Sequence, residues 1–114
     1  MTSSSAIITN ETRGADDPFA PIHPGEILKE EYMEELGLTA YGLAKRLCVP
    51  RDRIESIVRG QRAITADTSI RLGRLFGQSP QFWLNLQMHY DLERARDALG
   101  ERVEEIDPIP THAA

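Results

Sequence analysis

VPRDRIESIVRGQRAIT, residues 49–65, carries four arginines in a chain of 114 residues whose formal net charge is −5. Ile54, Ile57 and Val58 recur at helical spacing, Pro50 suits the start of a helix, and Gly60 supplies a left-handed stop. The stretch therefore reads as a short helix over 51–59, apolar on its inner side and polar outside. Just upstream, Thr39 is placed to cap TAYGLAKRL, where Leu43, Ala44 and Leu47 form another apolar stripe over 40–47. Two short amphipathic helices joined by a few residues have the dimensions of a helix-turn-helix. In that arrangement Leu43, Leu47, Val49, Ile54 and Ile57 point into the core, and Ala44 is small where the second helix must approach closely.

Working outward, Pro24, Glu26 and the spacing of Leu28, Tyr32 and Leu36 predict a first helix over 24–36, closed by Gly37. Thr65 caps a fourth helix, with Asp67 in its first turn, Ile70, Leu72, Leu75 and Phe76 as its apolar residues, and Gly77 at its end. Ser79 and Pro80 start a fifth, with Phe82, Trp83, Leu86 and Tyr90 as its apolar period; it either continues or breaks near Asp91. No segment alternates as a strand would. The expected fold class is all-α, five helices with short loops. Residues 1–22, rich in Ser, Thr, Asp and Pro, read as a mobile N-terminal arm, 23–92 as the helix-turn-helix domain, and 93–114 as a helical C-terminal extension and tail.

On the helix over 51–59, Arg51, Asp52, Glu55, Ser56 and Arg59 share the outward side, the side that enters a major groove. Arginine can bond guanine bidentately, serine can bond several bases, and carboxylates can accept from cytosine N4, so these five are the candidate base readers. Thr39, Lys45, Arg53 and Arg62 are better placed for phosphates, which set register without reading sequence. Charge is polarised along the chain: residues 45–62 carry a balance of +4, whereas 26–35 and 91–107 carry −4 each. A phosphate backbone feels the local patch, because screening acts over about 8–10 Å. The acidic total is compatible with binding DNA.

Other chemistries find little support. No apolar run approaches the roughly 18 residues of a membrane helix, and the N-terminus lacks the basic and apolar regions of a signal peptide, so a cytoplasmic protein is expected. Cys48 is the single cysteine, in keeping with a reducing compartment, and His23, His89 and His112 stand too far apart to suggest metal ligands. No cofactor is expected. HPGE at 23–26 resembles an acid–base pair only superficially, since Pro24 and Gly25 set the helix start and Glu26 complements its dipole. No nucleophile triad or phosphate-cradling loop appears, and the protein is not expected to be an enzyme.

Residues 22–92 resemble the HigA antitoxins, also called the VapI or addiction-module antidote group, a branch of the Xre/Cro/lambda-repressor-like helix-turn-helix proteins. HPGEIL, LAKRL followed by VP, RAITADTSIRL and FGQSPQFWLNLQ carry the likeness. One departure is Cys48, at a turn position where helix-turn-helix proteins often have glycine. The resemblance implies a dimeric DNA-binding antitoxin that represses its own operon through double-stranded operator DNA. It further implies that the protein neutralises a HigB-type toxin, a ribosome-dependent messenger-RNA endonuclease.

Two partner surfaces are expected. Glu26, Glu30 and Glu34 form an acidic face on the first helix, which is either simply solvated or the contact for a basic RNA-binding toxin. Phe82, Trp83, Leu86 and Tyr90 are either core or the homodimer interface that would set two reading helices about 34 Å apart. Two alternatives stay open: a stand-alone Xre-type regulator with no toxin, and a helical adaptor that binds only protein.

Overall fold

Proline, threonine and glycine punctuation marks the ends of five helices in the computed structural model, which describes residues 20–111. The expected arm over 1–22 therefore lies mostly outside the described residues. Helix α1 runs over 24–36, α2 is Ala40–Leu47, α3 is Arg51–Val58, α4 is Ala66–Phe76 and α5 is Phe82–Leu99. A 3₁₀ segment, Gly100–Glu105, follows α5, and no strand occurs among the described residues. Thr39 and Thr65 accept from the amides of Gly42 and Thr68 as N-caps, and Gly37, Gly60 and Gly77 take positive φ just past α1, α3 and α4. The fifth helix continues unbroken through Asp91, and it starts at Phe82, two residues beyond the proline expected to open it.

Leu28, Leu43, Leu47, Ile54, Ile57, Ile64, Leu72 and Trp83 form one core, with Ala44 buried between α2 and its neighbours. Trp83 is fully buried, donating its Nε1–H to Gln78 Oε1 at 2.7 Å and packing edge-on against Tyr32. Two buried polar side chains knit the helices where the backbone would otherwise lack partners. Ser69 Oγ donates to the Pro80 carbonyl at 2.6 Å and accepts from the Leu84 amide at 2.9 Å, joining α4 to the start of α5. Gln87 accepts from the Ile64 amide at 2.8 Å and donates to Asp91, joining α5 to the loop before α4.

The first helix departs from the expected register. Its middle, Leu28–Met33, is a π-helical turn, closed by the Glu34 amide on the Lys29 carbonyl. Widening the turn moves the inner position from i+4 to i+5, so Met33 follows Leu28 into the core, with Tyr32 partly buried beside it. Leu36, expected inside, is 59% exposed.

His23, Pro24 and Gly25 seat the start of α1 against both α3 and α5. His23 Nδ1 accepts from the Gly25 amide at 2.8 Å as the N-cap, and its ring meets Tyr90 edge-on at 4.9 Å. Burial holds the His23 pKa below its ordinary value, with the Asp91 carboxylate opposing that shift. Protonation would also place a hydrogen on the nitrogen that accepts from Gly25. A folded-state pKa below the unfolded one contributes stability above the unfolded value, and that stability is lost as pH falls through the folded value. Urea titrations are expected to show stability falling as pH drops below the ordinary histidine value of about 6.5. In His23→Asn, which keeps a capping acceptor but does not titrate, this part of the pH dependence disappears. Equal slopes for the two proteins would exclude the mechanism.

Candidate nucleic-acid interface

The turn between α2 and α3 is tight because Cys48 takes a left-handed conformation, φ 60° and ψ 44°. Its amide bonds back to Lys45 O at 3.2 Å, the Val49 amide reaches Ala44 O at 3.0 Å, and Pro50 then leads extended into α3. It is the one non-glycine positive φ among the described residues, so cysteine performs here the backbone task usually left to glycine. With Leu43, Leu47, Ile54 and Ile57 buried behind the turn, α2 and α3 form the expected helix-turn-helix.

Arg51, Asp52, Glu55, Ser56 and Arg59 lie together on the outward stripe of α3, exposed or partly so. Ser56 Oγ donates to its own helix at Asp52 O, 2.7 Å, and Arg59 Nε donates to Gln61 Oε1 at 3.3 Å. The two acids each hold an arginine: Glu55 pairs with Arg51 at 3.3 Å and Asp52 with Arg62 at 3.4 Å. Exposed pairs of this kind are worth about 0–1 kcal/mol, so they orient the guanidiniums and open cheaply when a stronger anion arrives. The acids within a basic surface thus have a local structural reason.

The expected phosphate residues separate into two groups. Thr39 sits at the N-terminus of α2, where it accepts from Gly42 N at 3.0 Å and keeps its own hydroxyl proton to donate. Lys45 is exposed on the outer face of α2, its Nζ 5.6 Å from the centre of the Tyr41 ring, and Arg62 is exposed beyond α3. Arg53 is different. Its side chain is 27% exposed, and its guanidinium donates to Asp67 at 2.6 Å and Thr68 Oγ1 at 3.3 Å. Asp67 also holds Arg71, whose Nη1 donates to the Leu47 carbonyl at the end of α2. The Arg71 and Arg53 guanidiniums together keep the Asp67 carboxyl below the usual carboxylate range. Arg53 is thereby a strut fixing α3 to α4, and the sequence offered no local sign of a partner 14 residues away.

The partner surfaces expected from sequence also sort themselves. Glu26, Glu30 and Glu34 are all exposed along α1, and none pairs with a cation among the described residues. Of the expected dimer residues, Trp83 is fully buried, and Leu86 and Tyr90 are partly buried against the protein's own body; only Phe82 lies at the surface, 36% exposed. Besides Phe82, the large apolar residues that α5 leaves to solvent are Leu84, Met88, Leu92 and Leu99. Helix α5 carries apolar residues on two sides, and periodicity alone does not say which side the core takes.

Residues 29–83 match the helix-turn-helix family HTH_3. The chain is 52% identical over 92 residues to virulence-associated protein I of Dichelobacter nodosus, covering 81% of this chain and 84% of that protein. It is 34% identical over 89 residues to antitoxin HigA-1 of Vibrio cholerae serotype O1, covering 78% of this chain and 84% of that one. Among solved structures, the Pseudomonas aeruginosa antitoxin HigA with the higBA promoter superposes with a TM-score of 0.75 at 47% identity, over 79% of this chain and 99% of that chain. The family match begins within α1, takes in α2, α3 and α4 entire, and ends at the start of α5. The chain belongs to the HigA family of helix-turn-helix DNA-binding antitoxins, proteins that act by binding and not by catalysis.

Proposed function

We propose that the protein is an autorepressing antitoxin: as a homodimer it binds a two-fold operator upstream of its own gene, and it neutralises a HigB-type ribonuclease encoded beside it. The outward stripe of Arg51, Asp52, Glu55, Ser56 and Arg59 on a helix-turn-helix is the observation that carries DNA reading. Thr39, Lys45 and Arg62 flank it as phosphate anchors. The binding of a promoter by the P. aeruginosa relative supports this reading. Such an operator is cytoplasmic DNA, and the chain has no helix long and apolar enough to cross a membrane among its described residues.

Dimerisation is assigned to the exposed α5 stripe, Leu84, Met88, Leu92 and Leu99. The toxin is assigned to the acidic face of Glu26, Glu30 and Glu34, because an RNA-binding enzyme carries positive charge and meets this face with favourable steering. On this account residues 23–92 hold the DNA-reading unit and most of the dimer stripe, which Leu99 in the segment beyond them extends.

The test is a fluorescence titration of the upstream DNA over a salt series, with and without the product of the neighbouring gene. Binding is expected to weaken steeply with salt, and Lys45→Ala and Arg62→Ala should each reduce the slope by about one. Glu30→Lys with Glu34→Lys should weaken toxin capture and leave DNA binding intact. A slope unchanged by either cation removal would sink the phosphate assignment. DNA binding with no affinity for the neighbouring product would leave a stand-alone regulator.

A further inference from the structure

Residues 94–111 are all exposed, although they include the last turn and a half of α5 and two turns of 3₁₀ helix. Helical structure that buries so little is marginal by itself, so this segment needs a surface to lie on. Its side chains say what kind. Val103 and Ile106 are 49% and 69% exposed and stand three residues apart, the period of a 3₁₀ helix, and Ile109 continues the series. Around them Glu101, Glu104, Glu105 and Asp107 form no ion pair among the described residues, while Arg102 is occupied in bonding the Ala98 and Leu99 carbonyls. The tail is an apolar ridge with an acidic border.

The complementary surface exists on the same protein. Between α2 and α4 lies an open groove of about 490 Å³ lined by Arg46, Leu47, Ile70, Arg71, Arg74 and Leu75. Ile70 is 55% exposed at its rim. Arg46 and Arg74 are exposed and have no carboxylate partner among the described residues. It is an apolar floor with a basic border, the inverse of the tail.

We infer that the acidic tail of each protomer docks in the Arg46/Arg74 groove of a second copy of the chain, so that two reciprocal tail-in-groove contacts lock the dimer. The inference rests on the dimer proposed above, and the α5 stripe makes the geometry natural. Leu84, Met88, Leu92, Ala95 and Leu99 follow one face of the helix. If two such helices pair antiparallel about a two-fold axis between Asp91 and Leu92, Leu84 meets Leu99 of the partner subunit, and Met88 meets the partner's Ala95. The end of α5 then lies beside the start of the neighbouring α5, one short turn from the end of α4, where Arg74 and Leu75 sit. A tail leaving Leu99 emerges at the mouth of the groove. Ile70 is only about 6 Å further along α4 at 1.5 Å per residue.

Sedimentation equilibrium of the full chain, compared with four variants, tests this. Ending the chain after Leu99, the pair Glu104→Arg and Glu105→Arg, and the pair Arg46→Glu and Arg74→Glu are each expected to weaken dimerisation about tenfold or more. Combining the two charge-reversed pairs in one chain should restore the constant to within a few-fold of wild type, which a merely unfolding substitution would not do. An intact dimer whose constant ignores all four changes would overturn the tail contact while leaving the α5 dimer standing. A wild-type chain that stays monomeric would overturn both. If reversing Arg46 and Arg74 weakened only DNA or neighbour-protein binding, the groove would belong to that ligand and the inference would fail.

Discussion

Gly25→Ala is expected to cost about 3 kcal/mol or more, the upper end of what overpacking a core does. An ideal Cβ at this position would stand 1.8 Å from the Ile57 carbonyl oxygen and 2.6 Å from its carbon. Neither side can yield easily. Ile57 is fully buried, and its carbonyl already accepts from the Gly60 amide at 2.9 Å, the bond that closes α3. Relieving the clash means lifting α1 from α3, which also parts His23 from Tyr90. For a domain with a total stability of about 5–15 kcal/mol the loss is severe. Urea unfolding should show a much lower midpoint, with operator binding falling as the folded population falls. Gly37→Ala is the control: its φ is +66°, but nothing lies within 4 Å, so only the left-handed strain of about 1 kcal/mol is expected. A Gly25→Ala protein within 1 kcal/mol of wild type would mean that α1 does not press on the end of the reading helix.

Met88→Glu should act through assembly instead. Met88 is 54% exposed in the protomer, so its replacement disturbs little inside the fold. In the proposed dimer the substitution occurs twice, placing two carboxylates in an apolar seam without partners. The protein should become monomeric at micromolar concentration yet stay cooperatively folded, its thermal midpoint lowered only by the lost linkage to dimerisation. Losing the linked second half-site removes the effective concentration that a dimer supplies, a factor of about 10²–10⁴ in operator affinity. Binding to an isolated half-site should hardly change. Wild-type affinity for the full operator in a monomeric Met88→Glu protein would place the dimer elsewhere or remove it from the mechanism.

Much of this architecture was legible because local chemistry fixes helix ends. Pro24 and Pro50, the capping hydroxyls of Thr39 and Thr65, and Gly37, Gly60 and Gly77 each act within one turn of their own position, and all seven mark boundaries as read. The outward stripe on α3 was legible for the same reason, since Ile54 and Ile57 decide which side faces in. What the sequence concealed depends on partners distant along the chain. Arg53 looks like any surface arginine until Asp67 is brought against it. The π turn in α1 exchanges Leu36 for Met33, an adjustment to neighbours that no four-residue period announces. Helix α5 presents one apolar side to the core and another to solvent, and only the packed structure tells Trp83 from Met88.

The acids on the reading helix are a case between the two. Composition alone made Asp52 and Glu55 awkward among base readers, whereas their pairing with Arg62 and Arg51 gives each a role before DNA arrives. They hold flexible guanidiniums near the surface where phosphates and guanines would be met, which lowers the ordering cost of binding. In the proposed complex they would also oppose binding where the DNA offers no compensating contact, a source of discrimination.

If α3 reads the operator through its outward stripe, competition between operator and scrambled duplex at one fixed salt concentration will show it. Arg51→Ala, Ser56→Ala and Arg59→Ala would be measured as ratios of operator to scrambled affinity. Loss of a good base contact is worth about 1–3 kcal/mol, so at least one substitution should reduce that ratio by about 5- to 150-fold and relax preference at a single operator position. A ratio unchanged in all three, with folding and dimerisation intact, would contradict the account.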